Sequence, residues 1–248
     1  MKIITLMTDF GIKDPYIGIM KGKILSSIDD VNIVDITHSI PCGDIRKASF
    51  FLKEYYKYFP SGSVHIIVVD PFVGENSIPL LNIYEERFFL APDNGVLTPV
   101  LGDVYRIYYK EGDSRTFFGR DIYAPFAVKI LKKEYKKYIK RYDSPKTLEF
   151  KKPFENGNII KGEVIHIDNF GNLITNIDKS LIKDGRYVKF KGNIIKIVES
   201  YSDVNEGETL ALINSFNLLE IGVNLGNAEK LLKGKIGDKV YLIRRKNA

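Results

Sequence analysis

The chain has a single cysteine, Cys42, so neither an internal disulfide nor a cysteine zinc cage is available to it. Its three histidines, His38, His65 and His166, lack metal-ligand spacing, and no metal site is expected. His65 lies inside an apolar run and reads as a core residue. G-x-S-x-G, the Walker loop and G-x-G-x-x-G are all missing, which removes esterase, P-loop and dinucleotide-binding chemistry as first choices. No segment approaches the roughly 18 uncharged apolar residues of a membrane span. Asp9 interrupts the opening segment too early for a signal-peptide apolar run, so a cytoplasmic, soluble protein without a membrane partner is expected. Arginine is scarce, nine of 37 basic residues, and the net charge of +6 is mostly lysine. Lysine suits solvated faces better than bidentate base or phosphate recognition. The densest basic run, KILKKEYKKYIKR at 129–141, is read as an amphipathic helix with Ile130, Leu131, Tyr135, Tyr138 and Ile139 along one side. Nucleic acid is not an expected partner.

What is present is ordinary globular material: 248 residues, 44% hydrophobic and 27% charged, enough for one large or two modest domains. Apolar runs at 2–8, 32–37, 63–69, 80–84 and 87–91 read as strands. Helical patterns at 17–28 and 44–58 lie between them, the second with Asp44 as N-cap. This alternation predicts an α/β domain with a mostly parallel sheet. Periodicity fails over 142–158, where prolines and an Asn-Gly pair mark a boundary. Beyond it, strands are expected at 160–167, 187–190, 194–198, 209–213 and 239–243, with a hairpin turn at Lys191-Gly192-Asn193. The expected domains are residues 1–150, α/β, and 159–248, a small antiparallel β-barrel.

Acids sit where strands end. Asp9 and Asp14 follow the first strand in T-D-F-G-x-x-D-P-Y, and Asp70 ends the third in V-D-P. Carboxyl ends of strands are where open α/β sheets bind ligands, and a carboxylate there suits a cis-diol. The same acids also suit turns and helix caps. RTFFGRDIYAP at 115–125 sets two aromatics before a glycine, either a stacking wall or a core-packing hairpin. In the β half, DNFGN at 168–172 and NSFNLLE at 214–220 mix an aromatic with amides and an acid. That composition suits recognition of a base, and equally it suits turns.

Seven segments, TDFGIKDPYIGIMKG, DITHSIPCGDI, VHIIVVDPFVG, FLAPDNGVL, TFFGRDIYAP, IDNFGNLITNI and NSFNLLEIGVN, together resemble the S-adenosylmethionine (SAM) hydroxide adenosyltransferases and their relatives, the fluorinase and chlorinase. The resemblance implies an N-terminal α/β domain, a C-terminal β-barrel and a homotrimer with active sites between subunits. It implies nucleophilic substitution at ribose C5′ of SAM, with SAM as substrate and no cofactor. Asp9 matches the acid bridging the ribose hydroxyls and Asp14 its companion. Phe117 matches the aromatic beside the nucleophile, with Gly119 close by. Asp168 matches the acceptor of the methionine ammonium. Phe170 and Asn172 match the adenine stacker and amide reader, and Ser215 a donor to the methionine carboxylate.

The chain also departs from that pattern. The family's water-activating triad keeps its acid as Asp70, but its arginine falls at Ser77 and its histidine at Phe118. The usual glycine after D-P is Phe72, and Phe216 stands where the fluorinase has arginine. Phe118 can neither accept a proton nor donate a hydrogen bond. Phe117-Phe118-Gly119 is similar to the halogenase pattern, although Asp70 would repel a halide. The leading expectation is hydrolysis to adenosine and methionine with Asp70 as base. A non-catalytic adenosine or SAM binder and a halide adenosyltransferase are the alternatives.

Overall fold

The opening run becomes a strand with both faces covered: β1 (Lys2–Thr8) is buried from Ile3 onward, as a central strand of a doubly covered sheet must be. The computed structural model describes residues 1–74, 77–109, 116–182 and 185–244, in two compact units, Met1–Glu149 and Phe150–Ala248. The first unit continues through α1 (Tyr16–Leu25), β2 (Val31–Thr37), α2 (Ile45–Tyr55), β3 (Val64–Val68), β4 (Pro79–Tyr84), β5 (Arg87–Pro92), β6 (Asp103–Ile107), α3 (Ala124–Leu131) and β7 (Ile139–Arg141). Asp44 caps α2 by accepting from the Lys47 amide at 2.9 Å.

The seven strands pair in the order β2-β1-β3-β5-β4-β6-β7. Pairing is parallel from β2 to β5 and antiparallel from β5 to β7, so the sheet is mixed. The switch comes where a helical crossover gives way to the tight Glu85-Glu86 turn, both residues at positive φ, which can only join antiparallel neighbours. Alternation along the strands divides the core between the two faces. Ile4, Leu6, Ile66 and Val68 pack with residues of α1 and α3, whereas Met7, Ile67 and Val69 pack with Ala48 and Leu52 of α2.

The expected helix over 129–141 is corrected: α3 ends at Leu131 and the same run supplies β7. Lys133 takes the left-handed conformation, φ 62°. The Glu134 amide then donates to Lys129 O and the Lys133 amide to Ile130 O, the paired bonds of a Schellman stop. With no glycine at that stop, the sequence carried no signal for it. The open edge of β6 takes the rest, pairing Ile107 with Ile139 and Tyr105 with Arg141, and Arg141 Nη1 reaches Asp103 at 2.6 Å.

The second unit comprises β8 (Phe154–Asn156), β9 (Ile159–Ile167), β10 (Leu173–Asp178), β11 (Gly185–Phe190), β12 (Asn193–Lys196), β13 (Thr209–Ile213), β14 (Leu218–Val223), α4 (Ala228–Leu232) and β15 (Lys239–Arg244). Its antiparallel order is β12-β11-β15-β9-β10-β14-β13, with β8 beside β9. A bridge between Ile197 and Ala211 nearly closes the sheet into a barrel. Lys191 and Gly192, both at positive φ, make the β11–β12 hairpin. Three strands appear that periodicity had not marked: the short β8, and β10 and β14, each of the latter two running out of one of the aromatic–amide clusters. Among the described residues no helix is long and apolar enough to cross a membrane.

Candidate functional site

Each unit presents chemistry of its own. In the first, Asp9 stands one residue past β1, its Oδ2 accepting from the Gly43 amide at 2.9 Å. Gly43 is at φ +70°, and a Cβ there would meet Pro71 Cβ at 3.1 Å. The 38–44 loop thus wedges between the ends of β1 and β3, bringing Asp9 and the Asp70 segment to one edge. Behind Asp9 runs a polar chain. Lys21 Nζ lies 2.5 Å from Asp35 Oδ2, His38 Nε2 lies 3.1 Å from Asp35 Oδ1, and His38 Nδ1 lies 2.9 Å from Thr8 Oγ1. Burial of Asp35 works against its charge, but Lys21 and His38 outweigh it and hold its carboxyl below the ordinary range. Asp14 lies exposed in the bend before α1, whose N-cap is Pro15; neither Asp9 nor Asp14 caps a helix.

Asp70 is partly buried and held on both oxygens: Oδ1 accepts from the Phe72 amide at 3.1 Å and Oδ2 from Ser77 Oγ at 2.5 Å. Ser77, a position expected to have lost its chemistry, is therefore a buried donor to the carboxylate. Phe72, which stands where the family usually has glycine, is 63% exposed in this chain.

Phe117 closes an aromatic triangle with Phe10 and Tyr16, ring centroids 5.3–5.7 Å apart. Phe118 points the other way, into the core, 2% exposed and against Tyr109. Gly119 packs closely on α1, where an added Cβ would lie 2.8 Å from Met20 S. Arg120 is taken up bidentately by Asp121 and lies over Phe117; Arg115 lies outside the described residues.

From Gly119 to Tyr123 the backbone makes a π-helical turn, a rare form that is frequent at functional sites. It carries a residue that sequence reasoning passed over. Tyr123 is 1% exposed and its hydroxyl has no hydrogen-bond partner among the described residues. Burial, then the nearby charges of Asp70 and Tyr109, push that phenol well above its ordinary range. His65 is the core residue expected of it, bonded to Thr5 Oγ1 at 2.8 Å and stacked on Phe89.

In the second unit one turn organises itself. Asp168 Oδ1 accepts from the Phe170 and Asn172 amides, each at 2.9 Å, and Oδ2 accepts from Asn172 Nδ2 at 3.0 Å. Gly171, at φ +85°, lies so close to Asn227 that a Cβ would meet Nδ2 at 2.1 Å. Phe170 is carried at the tip, 73% exposed. The neighbouring β13–β14 turn is held by Asn214 Oδ1, which accepts from the Phe216 and Leu218 amides.

Between these turns lies a cavity of about 790 Å³ lined by Asp168, Phe170, Asn172, Ser215, Tyr201 and Glu220, among others. All four site residues expected from this half therefore share one cavity. Tyr201 was not among them; it comes from a separate loop and donates its hydroxyl to Glu220 Oε1. Burial, with Asp168 adding to it, raises the Glu220 carboxyl although Tyr201 and Asn214 donate to it. Among the described residues no group of three or more His, Cys, Asp or Glu is placed to hold a metal ion.

Comparison with known proteins joins the two halves. A family model described as the SAM hydroxide adenosyltransferase N-terminal domain matches residues 4–139, and the C-terminal domain of that family matches 162–241. A curated (R)-S-adenosyl-L-methionine hydrolase of Methanocaldococcus jannaschii is 36% identical, over 98% of this chain and 96% of its own. A hydrolase of that name from Thermus thermophilus is 29% identical, over 98% and 100%. A fluorinase from an Actinoplanes species is 26% identical over 72% of each. The crystal structure of an uncharacterized conserved protein from Thermotoga maritima superposes with a TM-score of 0.88 at 33% identity, covering 98% of this chain and all of that one. With both domain models matched in order, and a relative above 30% identity aligned almost end to end, this chain belongs to the SAM hydroxide adenosyltransferase family.

Proposed function

We propose that the protein hydrolyses S-adenosyl-L-methionine to adenosine and L-methionine. The observation that carries this reading is Asp70: a carboxylate at the end of a central strand, oriented by Ser77 and the Phe72 amide. It does so in a chain whose near-full-length relatives are named (R)-SAM hydrolases. A water held by Asp70 attacks ribose C5′ and its oxygen forms the new C–O bond. The C5′–S bond breaks with its electron pair going to sulfur, so methionine leaves as a neutral thioether. The proton released from the water passes to Asp70 and then to solvent. A sulfonium needs no acid to leave, which makes positioning and desolvation the protein's main tasks. The reaction requires no cofactor.

In the same reading Asp9 accepts the ribose hydroxyls, with Asp14 nearby on the same loop, and Phe117 with Gly119 forms the wall beside C5′. Phe170 stacks on adenine and Asn172 reads its edge. Asp168 receives the methionine ammonium and Ser215 the carboxylate. We take the working form to be a homotrimer in the cytoplasm, in which the first unit of one subunit faces the second unit of its neighbour.

The test is incubation of the purified chain with the (R) and (S) sulfonium epimers, with and without chloride, followed by nucleoside analysis. Equal yields of adenosine and methionine, faster from the (R) epimer and indifferent to chloride, are expected. A 5′-chloro-5′-deoxyadenosine product would transfer the assignment to halide attack. Tight calorimetric binding without turnover would make the protein a binder instead.

A further inference from the structure

Glu220 stands inside β14, paired with Ile174 of β10 and Leu212 of β13, and is 5% exposed. Alternation along the strand sends Leu219 and Ile221 into the barrel core and leaves Glu220 on the other face, where it lines the cavity. An apolar side chain there would avoid the loss of hydration that burying a carboxyl entails. What a carboxyl offers instead is two acceptor oxygens, and two donors from different segments use them.

The first donor is the Tyr201 hydroxyl, bonded to Oε1. Tyr201 opens a 3₁₀ turn, Tyr201–Asp203, which is closed by its own Ser200–Asp203 capping box, and the bond to Glu220 fixes where its ring sits. That ring rests on Gly222, where an added Cβ would lie 2.8 Å from Tyr201 Cε1 and 3.2 Å from Asn172 Oδ1. The absence of a side chain at Gly222 thus admits the ring beside the Asn172 amide. The second donor is Asn214 Nδ2, 3.2 Å from Oε2. The Asn214 oxygen is already committed to the Phe216 and Leu218 amides, at 2.9 and 3.1 Å, so its nitrogen is left to face β14. Through Asn214 the carboxyl steadies the turn that carries Ser215. One side chain therefore ties together two walls of the cavity.

We propose that Glu220 is a positioning residue of this cavity: by holding Tyr201 and Asn214 together, it sets the spacing between the wall beside Asn172 and the turn bearing Ser215. It thereby governs affinity for a ligand long enough to meet both, an adenosyl amino acid rather than a bare nucleoside. Glu220 acts through its contacts and not its charge, and it touches no reacting atom. Glutamine would keep both links, its amide nitrogen donating to the Tyr201 oxygen and its amide oxygen accepting from Asn214. The inference rests on the ligand placement in the hydrolase reading above.

The experiment compares wild type with Glu220→Leu and Glu220→Gln. It measures adenosine release from SAM, thermal stability, and calorimetric affinity for adenosine and for S-adenosyl-L-homocysteine, whose neutral sulfur is a poor leaving group. Glu220→Leu should raise KM and weaken S-adenosyl-L-homocysteine binding by about tenfold, weaken adenosine binding less, and leave kcat unchanged. Glu220→Gln should keep wild-type affinity for both ligands. A merely structural glutamate would lower the melting temperature of Glu220→Leu and leave both affinities alone, and that result overturns the inference. Equal losses in Glu220→Gln and Glu220→Leu also overturn it, since the charge itself would then meet the ligand. Should Glu220→Leu misfold, Tyr201→Phe, which keeps the ring and removes one link, must weaken S-adenosyl-L-homocysteine more than adenosine, and wild-type affinities there overturn the inference. Wild type that binds both ligands without forming adenosine overturns the hydrolase reading alone, and the affinities still decide the role of Glu220. Wild type that binds neither ligand overturns both.

Discussion

The two units build their polar sites by opposite means. The 168–172 turn of the second unit is local: one aspartate accepts from amides two and four residues along, and a glycine supplies the conformation. The strand-end site of the first unit is assembled from distant segments, with Asp9 bonded across 34 residues to Gly43, Thr8 across 30 to His38, and Asp70 across seven to Ser77. Local sites keep their shape when the surroundings loosen, whereas assembled ones depend on every contributing segment. The turn-borne groups of the barrel are therefore the more rigid, and the strand-end groups of the sheet the more dependent on the segments around them.

The sharpest test of that division is Asp70→Asn. It removes the proton acceptor while nearly keeping the shape: the amide oxygen can still accept from the Phe72 amide and the amide nitrogen can donate to Ser77 Oγ, so adenosine formation should drop by about 100-fold or more with binding retained. A variant equal to wild type in a nucleoside assay would relocate the chemistry away from the sheet. In the barrel, Gly171→Ala should cost stability instead. It forces a side chain into φ +85° and pushes Asn227 from its cap on the Lys230 amide, together about 2–3 kcal/mol. Urea unfolding would read this, and a change within error would show that the turn is not glycine-dependent.

Acid should act with opposite signs on two buried groups, His65 in the first unit and Glu220 in the second. Burial, with Arg87 adding to it, lowers the His65 pKa to about 3. Below pH 6.5 the unfolded chain binds a proton that folded His65 refuses, so stability falls by about 1.4 kcal/mol per pH unit until the folded group titrates. His65→Gln should flatten that slope between about pH 6 and pH 3, and an unaltered slope would refute the assignment. Glu220 runs the other way. Its raised folded pKa contributes stability below its ordinary value of 4.5, and this is lost as pH rises through the folded pKa. The smallest expected effect is therefore that Glu220→Gln gains stability relative to wild type as pH climbs from 4 to 7, measured by hydrogen exchange in β14.

The same contrast explains what could be read in advance. β1, β13 and the Lys191-Gly192 hairpin are written in local pattern and emerged where expected. Asp168, Phe170, Asn172 and Ser215 also share one cavity, a grouping that the family resemblance implied and that turn chemistry, being short-range, does not provide. β7 was hidden because a lysine-rich run with helical spacing takes its conformation from the open edge of β6. β10 and β14 were hidden because their leading residues carry turn signals.

By itself, the order of residues determined the motifs, the alternating strands and helices, the change of pattern near residue 150 and the kinship those motifs carry. These depend on spacing along the chain. Only the tertiary structure decided that Ser77 donates to Asp70, that His38 backs Thr8, that Tyr201 and Glu220 complete the barrel cavity, and that the Tyr123 hydroxyl is buried. Each of these depends on which distant atoms are brought within hydrogen-bonding distance or shut away from water, and packing alone sets that.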